Sequence, residues 1–128
     1  MIDKHAEEEN DSLVLLITYG KTSFLFTGDI GKNRQKELSD YENKEKHNVT
    51  LMKMPHHGGE VDYAFMDTYL PKYVVISVGK NSYGHPEEAT MNMLNSKTYS
   101  PKVYRTDQRG DITVISNGES LRIETSKQ

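Results

Sequence analysis

Four short apolar runs decide what this chain can fold into. They span residues 13–17 (Leu-Val-Leu-Leu-Ile), 24–26 (Phe-Leu-Phe), 49–54 (Val-Thr-Leu-Met-Lys-Met) and 74–78 (Val-Val-Ile-Ser-Val). Each is of strand length, and none alternates cleanly between apolar and polar positions. Strands of that kind are covered on both faces, as in the middle of a layered α/β domain. The clustering matters because only 34% of the 128 residues are hydrophobic. A chain this long is one domain or part of one, and it buries roughly two-thirds of its unfolded surface.

Punctuation between the runs sets the element order. Residues 12–19 and 22–27, joined across Gly20-Lys21, read as a β-hairpin. Residues 30–41 follow Gly28-Asp29 and read as a helix with Ile30, Leu38 and Tyr41 on its apolar stripe. Residues 42–48 form a polar loop in which His47 is expected to be solvated, before a strand over 49–54. Val61, Phe65, Met66 and Tyr69 recur at helical spacing over 61–70, and Pro71 stops that helix. A strand over 72–78 leads into a loop ending in Pro86, where Glu87-Glu88 mark the start of a helix to about Lys97. Its Ala89, Met93 and Leu94 face inward, and Met91 and Met93 are core residues. Strands over 102–106, 111–116 and 119–124, turning at 107–110 and at Asn117-Gly118, give an all-β finish. The predicted order is β-β-α-β-α-β-α-β-β-β: an α/β fold with a mixed sheet and an antiparallel C-terminal end.

Several classes are disfavoured. There is no cysteine, so disulfides and thiolate ligands are excluded. No apolar run approaches the roughly 20 residues of a membrane span. Sixteen Lys and Arg are scattered among 19 acids for a net charge of −3, which weighs against a phosphate-backbone binder. Residues 1–11 are acidic and polar and are expected to be a flexible segment, leaving 12–128 as the folded unit.

The chemistry-bearing residues each come just after an apolar run. Asp29 ends Leu-Phe-Thr-Gly-Asp, His56 and His57 stand in Met-Pro-His-His-Gly-Gly, and His85 stands in Tyr-Gly-His-Pro. Ligands collect at the carboxyl ends of strands in helix-flanked sheets, so three such loops on neighbouring strands would converge. A carboxylate with several imidazoles is the inventory of a metal site, including a two-metal hydrolytic one. Each residue also has a plainer reading. Asp29 suits a helix N-cap, the His pair suits a half-exposed turn, and His85 suits a loop imidazole bonded to backbone. Neighbours in extended chain point to opposite faces, so one of His56 and His57 can be a ligand, and the other is expected either to support that ligand from behind or to face substrate. His85 suits a phosphate donor or proton shuttle. Tyr83, Tyr104 and Arg105 are substrate-side candidates.

Six stretches in order, Asn10-Asp11-Ser12-Leu13-Val14-Leu15-Leu16, Leu25-Phe26-Thr27-Gly28-Asp29, Met54-Pro55-His56-His57-Gly58, Val75-Ile76-Ser77-Val78-Gly79, Tyr83-Gly84-His85-Pro86 and Tyr104-Arg105-Thr106-Asp107-Gln108-Arg109-Gly110, carry a resemblance. They resemble the carboxyl-terminal half of metallo-β-lactamase-fold hydrolases, in the branch of ComEC-type competence proteins and phosphorylcholine esterases. The resemblance implies half of a four-layer αβ/βα domain with helices on one face of its sheet. It implies that Asp29 bridges two metals, that His57 is the last metal ligand with His56 beside the substrate, exchangeable with it, and that His85 lies near the substrate. It also implies phosphoester hydrolysis by a di-metal-bound hydroxide, with zinc or manganese as the metals.

The family's principal motif, His-x-His-x-Asp-His, does not occur in the sequence, and His5 does not replace it. The expectation is therefore a site that holds metal weakly or not at all on this chain alone, and an apolar sheet face that needs a partner. That partner would be the missing half of the domain or a second copy of the chain. The alternative is a non-catalytic module that pairs through the exposed sheet. A ComEC-type parent would act on nucleic acid at a membrane, and an esterase-type parent would sit at the cell surface.

Overall fold

The computed structural model describes residues 12–42 and 45–128. The expected flexible segment, with His5, lies outside them. The elements run β1 (Leu15–Tyr19), β2 (Thr22–Phe26), α1 (Lys32–Tyr41), β3 (Leu51–Lys53), a 3-10 turn (Pro55–Gly58), α2 (Tyr63–Tyr69), β4 (Tyr73–Ile76), α3 (Glu88–Leu94), β5 (Lys102–Arg105), the single-turn α4 (Thr106–Arg109), β6 (Ile112–Ser116) and β7 (Leu121–Thr125). The five strands β1 to β5 form one sheet in chain order. The β1–β2 pair is antiparallel, and β2–β3, β3–β4 and β4–β5 are parallel. The sheet is mixed, and the fold is α/β.

Register and the two-residue period sort the side chains. Leu16, Leu25, Met52, Val74 and Val103 share one row across the five strands. Leu25, Met52 and Val74 are buried in one cluster with Phe65, Met66 and Tyr69 of α2 and Met93 and Leu94 of α3. Leu38 of α1 packs against the same cluster. All three longer helices therefore cover one face. Ile17, Phe24, Leu51 and Tyr73 share the opposite face, as do Phe26, Lys53 and Val75 one step along.

The hairpin of β6 and β7 is a separate two-stranded sheet. Thus the antiparallel finish is not an extension of the main sheet, and β5 joins that sheet parallel to β4. The hairpin tip docks on the β1–β2 turn. Lys21 N–H donates to the Gly118 carbonyl at 2.6 Å, and the Thr22 and Ser116 hydroxyls meet at 2.7 Å. Gly20 is required there, because it is left-handed and a Cβ would come within 2.3 Å of the Gly118 carbonyl oxygen. Ile112 and Val114 then face Ile17, Phe24, Phe26, Leu51 and Val75 across an open, mostly apolar cleft of about 400 Å³.

Several expectations change. Strand β1 is not covered on two faces: every residue of it is exposed, Leu16 at 45% and Ile17 at 47%. It is an edge strand with nothing beyond it among the described residues. Helix α1 starts at Lys32, and Ile30 is fully buried ahead of it, while Tyr41 is exposed. Pro86 does not open α3, whose N-cap is Glu87. The expected reverse turn at 107–110 is instead the helical turn Thr106–Arg109, capped by Gly110. The loop after β6 spans four residues, because Asn117 bonds Ser120 and the return strand starts at Leu121. Met93 is buried, and Met91 only partly so. His47 is not a solvated loop residue. It stacks on Tyr69 at 5.4 Å, its ring pairs with Glu42, and its N–H donates to the Thr68 carbonyl.

Placing the core on the helical face predicts unequal mutational costs. Phe65→Ala, which empties a fully buried site, should lower unfolding free energy by about 3–5 kcal/mol. Ile17→Thr on the exposed edge should cost under about 1 kcal/mol. Urea denaturation of both variants checks the placement; equal losses would contradict it.

Candidate functional site

Parallel pairing aligns the carboxyl ends of β2, β3 and β4, and the three loops that leave them meet. The Gly28 carbonyl is the shared acceptor. It takes the His56 N–H at 3.0 Å and the Lys53 ammonium at 2.9 Å. The buried Thr27 hydroxyl donates to the Lys53 carbonyl at 2.6 Å. The Asp29 N–H donates to the Ser12 hydroxyl at 3.0 Å. Gly28 is left-handed, and a Cβ there would come within 2.7 Å of the Ser12 side chain. These contacts leave the Asp29 carboxylate projecting from a braced turn. Asp29 does not cap the following helix: the N-cap of α1 is Gly31, without a side-chain bond.

The His-His turn has a different geometry from extended chain. His56 (φ 52°) and His57 (φ 57°) are both left-handed, and Gly58 (φ 83°) follows in the same sense. Opposite-face alternation therefore does not apply. What separates the two rings is the turn, which leaves their centroids 6.4 Å apart. A left-handed conformation costs a non-glycine residue about 1–2 kcal/mol, so this corner is strained. It is held by the Gly28 bond, by Gly59 N–H to the His56 carbonyl at 2.9 Å, and by Glu87 N–H to the Gly58 carbonyl at 2.8 Å. Gly58 is needed for its φ and for close packing, since a Cβ would lie 2.6 Å from Pro86. The His-His-Gly and Gly-His-Pro stretches are thus two halves of one contact.

His57 faces Asp29. Its Nδ1–H donates to the Ser77 carbonyl at 2.7 Å, which leaves Nε2 pointing at Asp29 Oδ1, 3.4 Å away. Both side chains are about half exposed. With Nε2 protonated the two make an ion pair; with Nε2 bare, two lone-pair atoms face each other and only a shared cation makes the contact favourable. A tetrahedral cation with ligand bonds of 2.0–2.2 Å separates its donors by about 3.4 Å. The Nδ1–H bond to a carbonyl is the outer support that metal-bound imidazoles carry. The pair fits two positions of one cation. Among the described residues, no group of three or more His, Asp or Glu is placed to hold a metal.

His56 faces His85 instead. Their ring centroids are 5.2 Å apart, edge to face. His85 Nε2 lies over Gly59, 3.3 Å from where a Cβ would stand. Beside them His57, Val78, Gly79, Lys80, Asn81, Tyr83 and His85 line a cleft of about 210 Å³. Tyr83, 82% exposed, lies 6.0 Å from His85 ring to ring. Arg105 is held by Asp107 through two bonds of 3.0 and 2.7 Å. That pairing raises the guanidinium pKa and lowers that of the carboxylate. Tyr104 sits under Lys102 and Arg109, 5.6 and 5.9 Å from its ring. Neither residue is brought to the histidine corner by any of these contacts.

The structure adds three residues that sequence reasoning passed over. Lys53 was legible as the one charge in its apolar run. Burial lowers its pKa, partly offset by Asp29. Ser12 stood in the first resembling stretch, just before the first apolar run, with no role assigned to it. Ser77 acts through its carbonyl, which no side-chain pattern marks.

The strain at the corner predicts an inverted substitution order. At ordinary positions glycine is less stable than alanine by roughly 0.5–1 kcal/mol. At His56, glycine escapes the left-handed cost of about 1–2 kcal/mol. His56→Gly should therefore unfold at higher urea than His56→Ala, and the reverse order would contradict the left-handed turn.

No protein-family model matches the chain. No solved structure matches it. The chain is similar to ComE operon protein 3 of Bacillus subtilis (strain 168), at 36% identity over 110 residues. The match covers 84% of this chain and 14% of that protein. This chain therefore corresponds to a small part of that relative. The similarity carries the ComE-related side of the resemblance and does not bear on the metallo-β-lactamase fold.

Proposed function

We propose that the chain supplies one wall of a divalent-metal-dependent phosphoester hydrolase. The observation that carries this reading is the anchored His57 Nε2 facing Asp29 Oδ1 at 3.4 Å. Asp29 and His57 would hold the metal, zinc or manganese, and the remaining ligands would come from a segment or chain seated at the exposed β1 edge. A bound divalent ion supplies Lewis-acid polarisation of a phosphoryl oxygen and a lowered pKa for water. The chain's own residues do the rest. Asp29 offers a carboxylate that can serve two ions. His57, its Nδ1–H committed to Ser77, offers one fixed lone pair. His56 and His85 bring imidazole N–H groups to phosphoryl charge, and His85 can hand a proton to a departing alkoxide. Lys53 keeps a positive charge beside Asp29 and braces the Gly28 turn.

The half-domain αβ/βα architecture belongs to this reading. Helices on one face and a partly apolar opposite face support it, and so do the ordered motifs. Nucleic acid is the phosphoester only if the parent is of the ComEC type, and similarity to a ComE operon product favours that branch.

A second reading has its own support. The fully exposed β1 edge and the apolar cleft under the β6–β7 hairpin suit a non-catalytic module that pairs through its sheet.

Manganese titration followed by proton NMR separates the two. The metal-site reading predicts that His57 ring signals broaden first and that Asp29→Ala removes this selectivity. It further predicts slow Mn²⁺-dependent hydrolysis of bis(p-nitrophenyl) phosphate once the chain is joined to its complementing segment. Broadening spread over the acidic surface and indifferent to Asp29→Ala would overturn it and leave the interaction module.

A further inference from the structure

We infer that Asn81 is the residue that positions His85, and so shapes the side of the site where the phosphoryl group is placed. The inference rests on the reading of His85 as a phosphoryl contact, but its structural content stands separately. Residues 79–86 leave β4 and reach α3 without regular structure. Among the described residues, that segment makes no backbone–backbone hydrogen bond. One side chain organises it instead. The Asn81 amide nitrogen donates to the Gly79 carbonyl at 2.9 Å and to the His85 carbonyl at 2.8 Å. The Asn81 amide oxygen accepts the Tyr83 N–H at 3.0 Å and the His85 N–H at 3.1 Å. His85 is thus gripped at both its N–H and its carbonyl by a single planar group.

Gripping both polar backbone atoms of one residue fixes the direction of its Cα–Cβ bond. Beyond that bond, the imidazole meets His56 edge to face at 5.2 Å and comes over Gly59. Packing of Pro86 against Gly58 holds the next residue. The chain is therefore pinned at His85 by Asn81 and at Pro86 by the His-His turn. Asparagine is the residue this requires. It has two N–H donors and one carbonyl acceptor on a short stem; aspartate keeps only the acceptors, and glutamine is one methylene longer. Asn81 touches no reacting atom in this account and acts through His85. Tyr83, held through its own N–H by the same amide, is placed on the rim of the cleft by the same device.

The test uses the whole chain without added metal, with inorganic phosphate as the probe. In the unaltered protein, His56 and His85 ring protons should show a through-space NMR contact, and phosphate should shift both sets of signals. In Asn81→Ala the His56–His85 contact should vanish and phosphate should bind about tenfold more weakly, the loss of one hydrogen bond to a charged group. The His57 Nδ1–H signal, anchored on Ser77, should persist and report an intact fold. Should Asn81→Ala fail to fold, Asn81→Asp is read in the same way, with a weakened His56–His85 contact expected because both carbonyl bonds are lost. A contact unchanged in either folded variant would overturn the positioning role. Loss of the contact in Asn81→Ala, together with no phosphate response even in the unaltered protein, would uphold the positioning role and sink the phosphoryl reading of His85.

Discussion

The Gly28 carbonyl is the point on which the site depends. It takes one hydrogen bond from the backbone after β3 and one from the Lys53 side chain within β3. Thr27 returns a bond to the Lys53 carbonyl. The ends of β2 and β3 are thereby locked at a spacing the sheet alone would leave loose. That lock places Asp29 and the His-His turn side by side. The third strand joins through His57, whose Nδ1–H reaches the Ser77 carbonyl just past β4. Three loops that sequence separates by 20 to 30 residues are held by one backbone–backbone bond and by the Lys53, Thr27 and His57 side chains, each reaching a backbone carbonyl of a neighbouring segment.

Strain and packing at this corner explain each other. Two consecutive left-handed histidines are unfavourable in isolation. They persist because the turn is bonded at its entrance to Gly28 and at its exit to Glu87, and because Gly58 lies flat against Pro86. The same turn that strains the backbone sends one imidazole to Asp29 and the other to His85. A relaxed extended segment would send the rings to opposite faces of the sheet, and only one would reach the loops. The strained turn is therefore what makes a two-imidazole corner possible, which agrees with the tendency of such outliers to sit at functional sites.

Much of this was legible in the sequence, for reasons that can be named. The apolar runs at 24–26, 49–54 and 74–78 identified three strands because doubly covered strands need continuous apolar runs, and the α2 stripe Phe65-Met66-Tyr69 showed at helical period; that the three strands are parallel neighbours came from the structure. The first run misled: Leu15, Leu16 and Ile17 are as apolar as a central strand, yet they lie on an exposed edge. Composition reports what a strand would bury, not what lies over it, and among the described residues nothing covers β1. Asp29, His57, His56 and His85 were singled out by position after strands, and the structure brings their side chains together. Their pairing, His57 with Asp29 and His56 with His85, was implied only by the resemblance; residue spacing left His56 and His57 exchangeable, because the left-handed φ values that separate the two rings are encoded by no periodicity. Asn81 and Ser77 were also hidden, one acting on backbone atoms of its own loop and the other through a carbonyl. His47 was misread because Tyr69, the residue it stacks on, is far away in sequence.

The central claim is that Asp29 and His57 form an open, prearranged pair of donors for one divalent cation. A crystal of the chain soaked in zinc, with anomalous diffraction recorded on either side of the zinc edge, tests it most directly. The account predicts an anomalous peak between Asp29 Oδ1 and His57 Nε2, with the His57 Nδ1–H bond to the Ser77 carbonyl kept. Zinc bound only at other surface acids or histidines, with the Asp29–His57 contact left empty, would contradict it.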